Sequence, residues 1–492
     1  MFAAESHWEG NQLIEIALLW AAPVFVTGAF VMPADHVPGP SLTSIIATAN
    51  SEHSATTSFD PTASTLGASG ASAASADSLI TSLGPVAGTS VPISQLQGIV
   101  LLDRLSTLPR RDIASYLESN PQVVSEMLAD PPTSASVATW WASAPVEGRR
   151  ALLNEAPNLV GGLEGVPYGT RDAANRRVLF ASLDDLRETL DGFVGRAERD
   201  ELVSREHMLT EVENALVSTD GHVRRLVNLD PEGEGRAVIA VGDIARADYV
   251  SFLVPGMFFG VDAQIGAWAD TAEDLVVEQE EWLARLHPDG DATVAAVAWI
   301  GYRTPSLVNV ASMELAREGQ DALTASLKGL AGSRTDDEPY LSVLAHSYGS
   351  TAALLSLAED DVAVDALALV GSPGSPARSV AELHVADANV WVGAADWDPI
   401  PASGVFGSQP TSAAYGAHRF SVAPGTDPVT GEALTGATSH NEYFAPGGSS
   451  LRNMALIGIG EGSLVTDANR SAGDALKKLG KSGTSSRTYL LR

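Results

Sequence analysis

From about Gly235 onward the chain alternates short apolar, β-branched runs with amphipathic stretches of helical length. "RAVIAVGD" and "YVSFLVPG" read as strands, "AQIGAWADTAEDLVVEQEEWLARL" as a helix, "ATVAAVAWIGY" as a strand and "ASMELAREGQDALTASLKGLA" as a helix. The strand "YLSVLA", the helix "STAALLSLAED" and the strands "VDALALVG" and "NVWVGAA" follow. Strands that are apolar at nearly every position must be covered on both faces, which the intervening helices achieve in a mostly parallel sheet. The expected architecture over residues 235–463 is therefore α/β, with ligands bound at the carboxyl ends of the strands.

One strand-to-helix turn in that series carries a chemical signal. "LSVLAHSYGSTAALLSLA", residues 341–358, sets Ser347 on the turn, with Ala345 two residues before it and Gly349 two after. A serine hydroxyl is a weak nucleophile unless a base takes its proton. A tight turn flanked by small residues lifts the oxygen above the sheet, the arrangement of a nucleophile elbow. The helix that follows opens near Tyr348, and its unpaired N–H groups would face a reacting carbonyl oxygen. A serine at such a turn also serves as an ordinary helix cap; the strand, helix and sheet around it favour the nucleophile. His346 is adjacent in sequence, so it reads as elbow packing rather than as the base.

In this order of elements an acid and then a histidine follow the serine. His418 and His440 both follow a suitable acid. His418 lies in "GAHRFSV", which alternates like a strand, whereas His440 lies in "TGATSHNEYF", a loop ahead of a helix. A base must lean over the sheet from a loop, so His440 is preferred. The acid belongs just past a strand end, where "NVWVGAADWDPI" offers Asp396 and Asp398. Asp398 is the better candidate because Pro399 would fix the turn that presents it, with Asp396 still open. A second oxyanion donor is expected from "FLVPGMFFG": Gly256 lets the backbone approach, the N–H of Met257 is the first choice and that of Phe258 the next. The same stretch would also serve as plain core.

The rest of the chain narrows the alternatives. With 61 acidic against 30 basic residues and a net charge of −31, it lacks the basic surface that nucleic acid or anionic lipid requires. There are no cysteines, which removes disulfides, thiolate nucleophiles and Cys-ligated zinc. The glycine spacings needed to cradle phosphates or dinucleotides are missing, as are HExxH and calcium-loop patterns, so no cofactor or metal is expected. Residues 1–35 contain the apolar run Leu13 to Met32, long enough to span a bilayer. It reads as a membrane anchor or export signal, giving a membrane or cell-envelope location, or else as a mis-called start or a buried or disordered segment in a cytoplasmic protein. Residues 36–94, rich in Ser, Thr, Ala and Gly, read as a linker. Residues 95–234 read as helical. "LPRRDIASYLESNPQVV" and "APVEGRRALLNEAPNLV", 36 residues apart, suggest paired hairpins with Trp140 and Trp141 packed between them. A single long helix is expected over "SLDDLRETLDGFVGRAERDELVSREHMLTEVENALVS". This region is expected to cap the strand ends near Ser347, and residues 464–492 to form a loose tail.

With these motifs in view, the chain resembles an actinobacterial alpha/beta-hydrolase family long catalogued as a domain of unknown function. The resemblance covers roughly residues 138–460. It rests on the paired tryptophans, "LEGVPYGTRDAANR", "AWIGY", "AHSYGS", "LVGSPG", "VWVGAADWDPI" and "HNEYFAPGGSSLRN". The family usually reads Gly-His-Ser-Tyr-Gly at the elbow, so Ala345 is a departure. The resemblance implies a serine hydrolase with Asp398 as the acid and His440 as the base, acting on a small-molecule or lipid-like acyl substrate without a cofactor. A different class stays open, a non-catalytic envelope scaffold that keeps the fold.

Overall fold

Strand order and register follow from where the apolar residues must go. A computed structural model of the chain describes residues 92–218, 221–335 and 337–468. The strands are β1 (Arg224–Asp230), β2 (Arg236–Gly242), β3 (Tyr249–Val254), β4 (Val294–Ile300), β5 (Tyr340–His346), β6 (Ala366–Val370), β7 (Val390–Gly393) and β8 (His418–Arg419). They form one sheet in the order β1-β2-β4-β3-β5-β6-β7-β8. Pairing is parallel from β4 to β8, and β1 and β2 are antiparallel additions at one edge. Every residue of β4 is buried, and each such Val or Ile side chain contributes about 1.5–3 kcal/mol by leaving water.

Helices cover both faces. α9 (Val261–Leu286) and α13 (Ser449–Gly458) pack on one, α10 (Glu314–Ser333) and α11 (Ser347–Ser356) on the other. The register sets Val254 beside Ala345, His346 beside Val370 and Val370 beside Gly393. The loops that leave β3, β5, β6 and β7 therefore start level with one another, at one end of the sheet.

The amino-terminal helices are α1 (Gly98–Ser106), α2 (Arg110–Ser119), α3 (Val123–Ala129), α4 (Ser134–Ser143), α5 (Val146–Glu155), α6 (Pro157–Gly162), α7 (Tyr168–Asp191) and α8 (Arg196–Ala215). Pro109 and Pro145 stand immediately before α2 and α5, where a missing N–H costs nothing. Trp140 and Trp141 meet edge to face at 5.5 Å between ring centroids. They are buried among Leu101, Leu105, Leu152 and Leu159 of the same helices.

Four expectations need correction. The region read as helical over 95–234 includes β1, an edge strand whose polar residues hide its period. Its Leu226 N–H donates to Asp172 Oδ1 at 2.8 Å, and its Leu226 carbonyl accepts from Asn175 Nδ2 at 3.0 Å, both from α7. The single long helix is two, because Gly192 and Gly195 interrupt it between α7 and α8 and glycine is a poor helix former.

The amino-terminal helices also do not cap the strand ends near Ser347. They grip β1 and the far end of α10, where Ser134 Oγ donates to the Lys328 carbonyl at 2.8 Å. The other end of α10 is the one near the serine, with the Ala316 N–H donating to the Tyr348 hydroxyl at 3.0 Å. The two contacts are 12 residues apart along this helix, roughly 18 Å at about 1.5 Å per residue. Finally, residues 464–468 are not a loose tail: the Ser421 N–H donates to the Thr466 carbonyl at 2.7 Å, and the Ala468 N–H to the Arg419 carbonyl at 3.2 Å. The rest of the expected tail lies outside the described residues, as do the apolar run Leu13 to Met32 and all but the last residues of the linker. No helix among the described residues is long and apolar enough to cross a membrane.

Candidate active site

β5 runs directly into α11, and Ser347 at the junction has φ 53°, left-handed for a non-glycine residue. Such a conformation costs about 1–3 kcal/mol and persists only where its surroundings hold it. Here a chain of hydroxyls does so. The Gly374 N–H donates to Ser372 Oγ at 3.2 Å, Ser372 and Ser350 share a bond of 2.7 Å, and Ser350 Oγ donates to the Ser347 carbonyl. Close packing completes the support. A Cβ on Gly349 would stand 2.1 Å from the Pro255 carbonyl oxygen, and one on Gly256 would stand 2.6 Å from Ser347 Cβ. Glycine at both places lets the loop after β3 lie against the turn. Ala345 is fully buried beside Val254, so the methyl that departs from the usual glycine is accommodated.

Ser347 Oγ is 2.7 Å from His440 Nε2, and His440 Nδ1 is 2.8 Å from Asp398 Oδ2. With Nδ1–H donating to the carboxylate, Nε2 is left to accept from the serine hydroxyl. All three side chains are buried. Asp398 Oδ2 also accepts from the Tyr443 hydroxyl at 2.6 Å, and Oδ1 accepts from the Ile400 N–H at 3.0 Å, at the start of α12 (Ile400–Ser403). Burial by itself would raise the Asp398 pKa. The hydrogen bond and charge of His440, with the Tyr443 and Ile400 donors, outweigh it and hold the carboxyl below its ordinary value. Gly371, directly after β6 with φ +62°, lies under the pair: a Cβ there would stand 2.9 Å from His440 Cε1 and 3.1 Å from Asp398 Oδ2.

The other named residues fall as follows. Asp396 is exposed and outside this chain of hydrogen bonds. His418 is exposed in β8 with its ring 4.8 Å from that of Trp391. Met257 is buried in the loop after β3. The Phe258 N–H is already committed to the Pro305 carbonyl at 3.1 Å, and its φ is 60°. Among the described residues the N–H groups of Met257 and Tyr348 have no such partner, Tyr348 because it stands in the first turn of α11.

A serine on a left-handed strand-to-helix turn, with a histidine and a carboxylate brought to it from later strand-end loops, decides the architecture. The fold is that of an alpha/beta hydrolase. Residues 230–407 match the family model described as alpha/beta hydrolase; Ser347 and Asp398 lie within that segment and His440 beyond it. Two curated proteins of Mycobacterium tuberculosis, both called uncharacterized, are each 28% identical over 379 residues, covering 67% of this chain and 56% of theirs. The chain thus spans about half the length of the curated relatives it matches. Among solved structures, a carboxyl esterase of the fungus Tuber melanosporum aligns at 15% identity over 50% of this chain and 89% of its own, with a TM-score of 0.31. A dienelactone hydrolase of Anabaena variabilis aligns at 13% identity over 38% and 83%, with a TM-score of 0.24.

Sequence reasoning missed several supports of this alpha/beta-hydrolase site. Tyr443, Gly371 and Ser372 entered only inside matching motifs, "HNEYF" and "LVGSPG", with no role attached. A glycine immediately after the apolar strand "VDALALV" was the available signal for Gly371. The contact partners of Tyr443 and Ser372 lie tens of residues away, and no local pattern points to them. Among the described residues no group of three or more His, Asp or Glu is placed to hold a metal ion.

Proposed function

We propose that the protein is a serine hydrolase of carboxylic esters or related acyl bonds. Ser347 Oγ attacks the acyl carbonyl carbon while His440 Nε2 takes its proton. Asp398 keeps the imidazole oriented and stabilises its cation. The N–H groups of Met257 and Tyr348 bind the oxyanion. His440 then gives its proton to the departing alkoxide, leaving an acyl-enzyme. Water, deprotonated by the same imidazole, releases the acid and restores the serine. The observation that carries this reading is the unbroken run of short hydrogen bonds from Ser347 Oγ through His440 to Asp398, beginning at a strained turn.

An apolar or lipid-like acyl group fits the rim. Trp397 follows β7 and is 83% exposed, while Leu307 and Val308 follow β4 at 40% and 95% exposure. These loops leave the same end of the sheet as Ser347. The test is hydrolysis of nitrophenyl esters of graded chain length by the purified protein. Turnover should be lost by on the order of 10⁴-fold in Ser347→Ala while the fold persists. Equal turnover by parent and variant would remove Ser347 from the reaction.

A further inference from the structure

One buried titratable side chain at the site has no part in the chemistry just proposed. His346 is 5% exposed. Its ring centroid lies 4.8 Å from that of His440, 5.9 Å from Tyr443, 6.3 Å from Phe444 and 6.4 Å from Phe259. Within this aromatic surround, Nε2 lies 2.8 Å from the main-chain carbonyl oxygen of His440. A carbonyl oxygen only accepts, so Nε2 carries a hydrogen. Burial, and then the nearness of His440, push the His346 pKa down to about 3, against the hydrogen bond to the His440 carbonyl and then the Asp398 carboxylate, which act the other way. The ring is therefore a neutral donor.

The connectivity gives that donor a consequence. His346 is bonded through its own carbonyl to Ser347, and its side chain holds the peptide of His440. His440 in turn reaches back to Ser347 Oγ at 2.7 Å. The three residues close a ring in which the serine's main chain and the imidazole's main chain are tied to each other. His440 sits on a loop between a short strand and α13, and a loop peptide needs such a tie to hold its side chain at hydrogen-bonding distance.

We propose that His346 is a positioning residue: its Nε2–H holds the His440 carbonyl and thereby sets the distance between His440 Nε2 and Ser347 Oγ. This rests on the hydrolase reading given above. Replacement by leucine keeps an apolar filling of the site and removes the donor. Replacement by glutamine keeps an N–H near the position of Nε2. A misplacement of about 1 Å can cost on the order of 10²-fold, so His346→Leu should lower kcat for a nitrophenyl ester by roughly 30-fold or more with KM nearly unchanged. His346→Gln should recover kcat to within about threefold of the parent. If leucine leaves kcat intact, or if glutamine is as poor as leucine, the hydrogen bond is not what positions the base. Nitrogen-resolved NMR of the full-length parent supplies a readout that does not depend on turnover. The His346 ring should stay neutral with hydrogen on Nε2 from about pH 8 to pH 5, across the range where an ordinary histidine titrates. A protonating ring, or one with hydrogen on Nδ1, overturns the inference. An active parent with a flat variant series overturns this inference alone, whereas a folded parent that cleaves no ester overturns the hydrolase reading and this one with it.

Discussion

Gly256→Ala tests the site at its tightest joint. The added Cβ would stand 2.6 Å from Ser347 Cβ and 3.1 Å from its Oγ. Non-bonded carbons settle at about 3.5 Å or more, so something must move by roughly 0.9 Å. Ser347 resists, because Ser350 holds its carbonyl and a Cβ-free Gly349 packs under it. The loop after β3 is also held, with the Tyr302 hydroxyl donating to the Pro255 carbonyl at 2.8 Å. Whichever yields, the Met257 N–H and the serine hydroxyl lose their mutual placement. Loss of one oxyanion donor costs about 10²–10³ in kcat, or roughly 2.7–4 kcal/mol. The expected result is a kcat on a nitrophenyl ester lower by about 10²-fold, a KM within about threefold, and a Tm lowered by the few kcal/mol typical of overpacking. Gly169→Ala in α7 is the control, since nothing lies within 4 Å of a Cβ there, and it should leave kcat unchanged. A Gly256→Ala enzyme with the parent's kcat would refute the placement of the oxyanion loop.

The remaining predictions concern charge. Asp398→Asn should lower kcat on the order of 10⁴-fold, whereas exposed Asp396→Asn should change it little; a reversed order in steady-state kinetics would move the acid. Burial pushes the His346 pKa down to about 3 in the folded protein, below the unfolded value of about 6.5. The unfolded chain therefore binds the extra proton between those values. Stability present above about pH 6.5 should fall as pH drops toward 3, by up to about 1.4 kcal/mol per unit. Denaturant unfolding of His346→Leu should lack that component of the acid slope, and identical slopes in the two proteins would count against a buried neutral ring. Asp398 acts in the same direction at lower pH. Its folded pKa is depressed, so its contribution is present above the unfolded value of about 3.9 and lost as pH falls through the folded one.

The strands β2 to β7 were readable because both their faces are buried, which leaves an apolar run at each. β1 was not, since Arg224, Arg225 and Asn228 interrupt its pattern and its register shifts between Leu226 and Asn228. Its pairing depends on side chains of α7, which no local reading supplies. The adjacent tryptophans signalled burial, and the hairpins read around them are what covers them. The position of the whole region against the sheet was not legible, because burial within it does not say where it docks. Ser347, Asp398 and His440 stood out because each sits at an element boundary with a local mark: small residues around the first, Pro399 after the second and a loop ahead of a helix for the third. Tyr443, Gly371 and the Ser350–Ser372 pair act through contacts that exist only once the chain has folded.

The most direct measurement is the mass of the intact protein, followed by peptide mapping, after exposure to a fluorophosphonate. The account predicts one adduct on the peptide bearing Ser347, absent from Ser347→Ala and formed much more slowly in Asp398→Asn. A folded parent that takes no adduct, or one labelled at another residue, would contradict it.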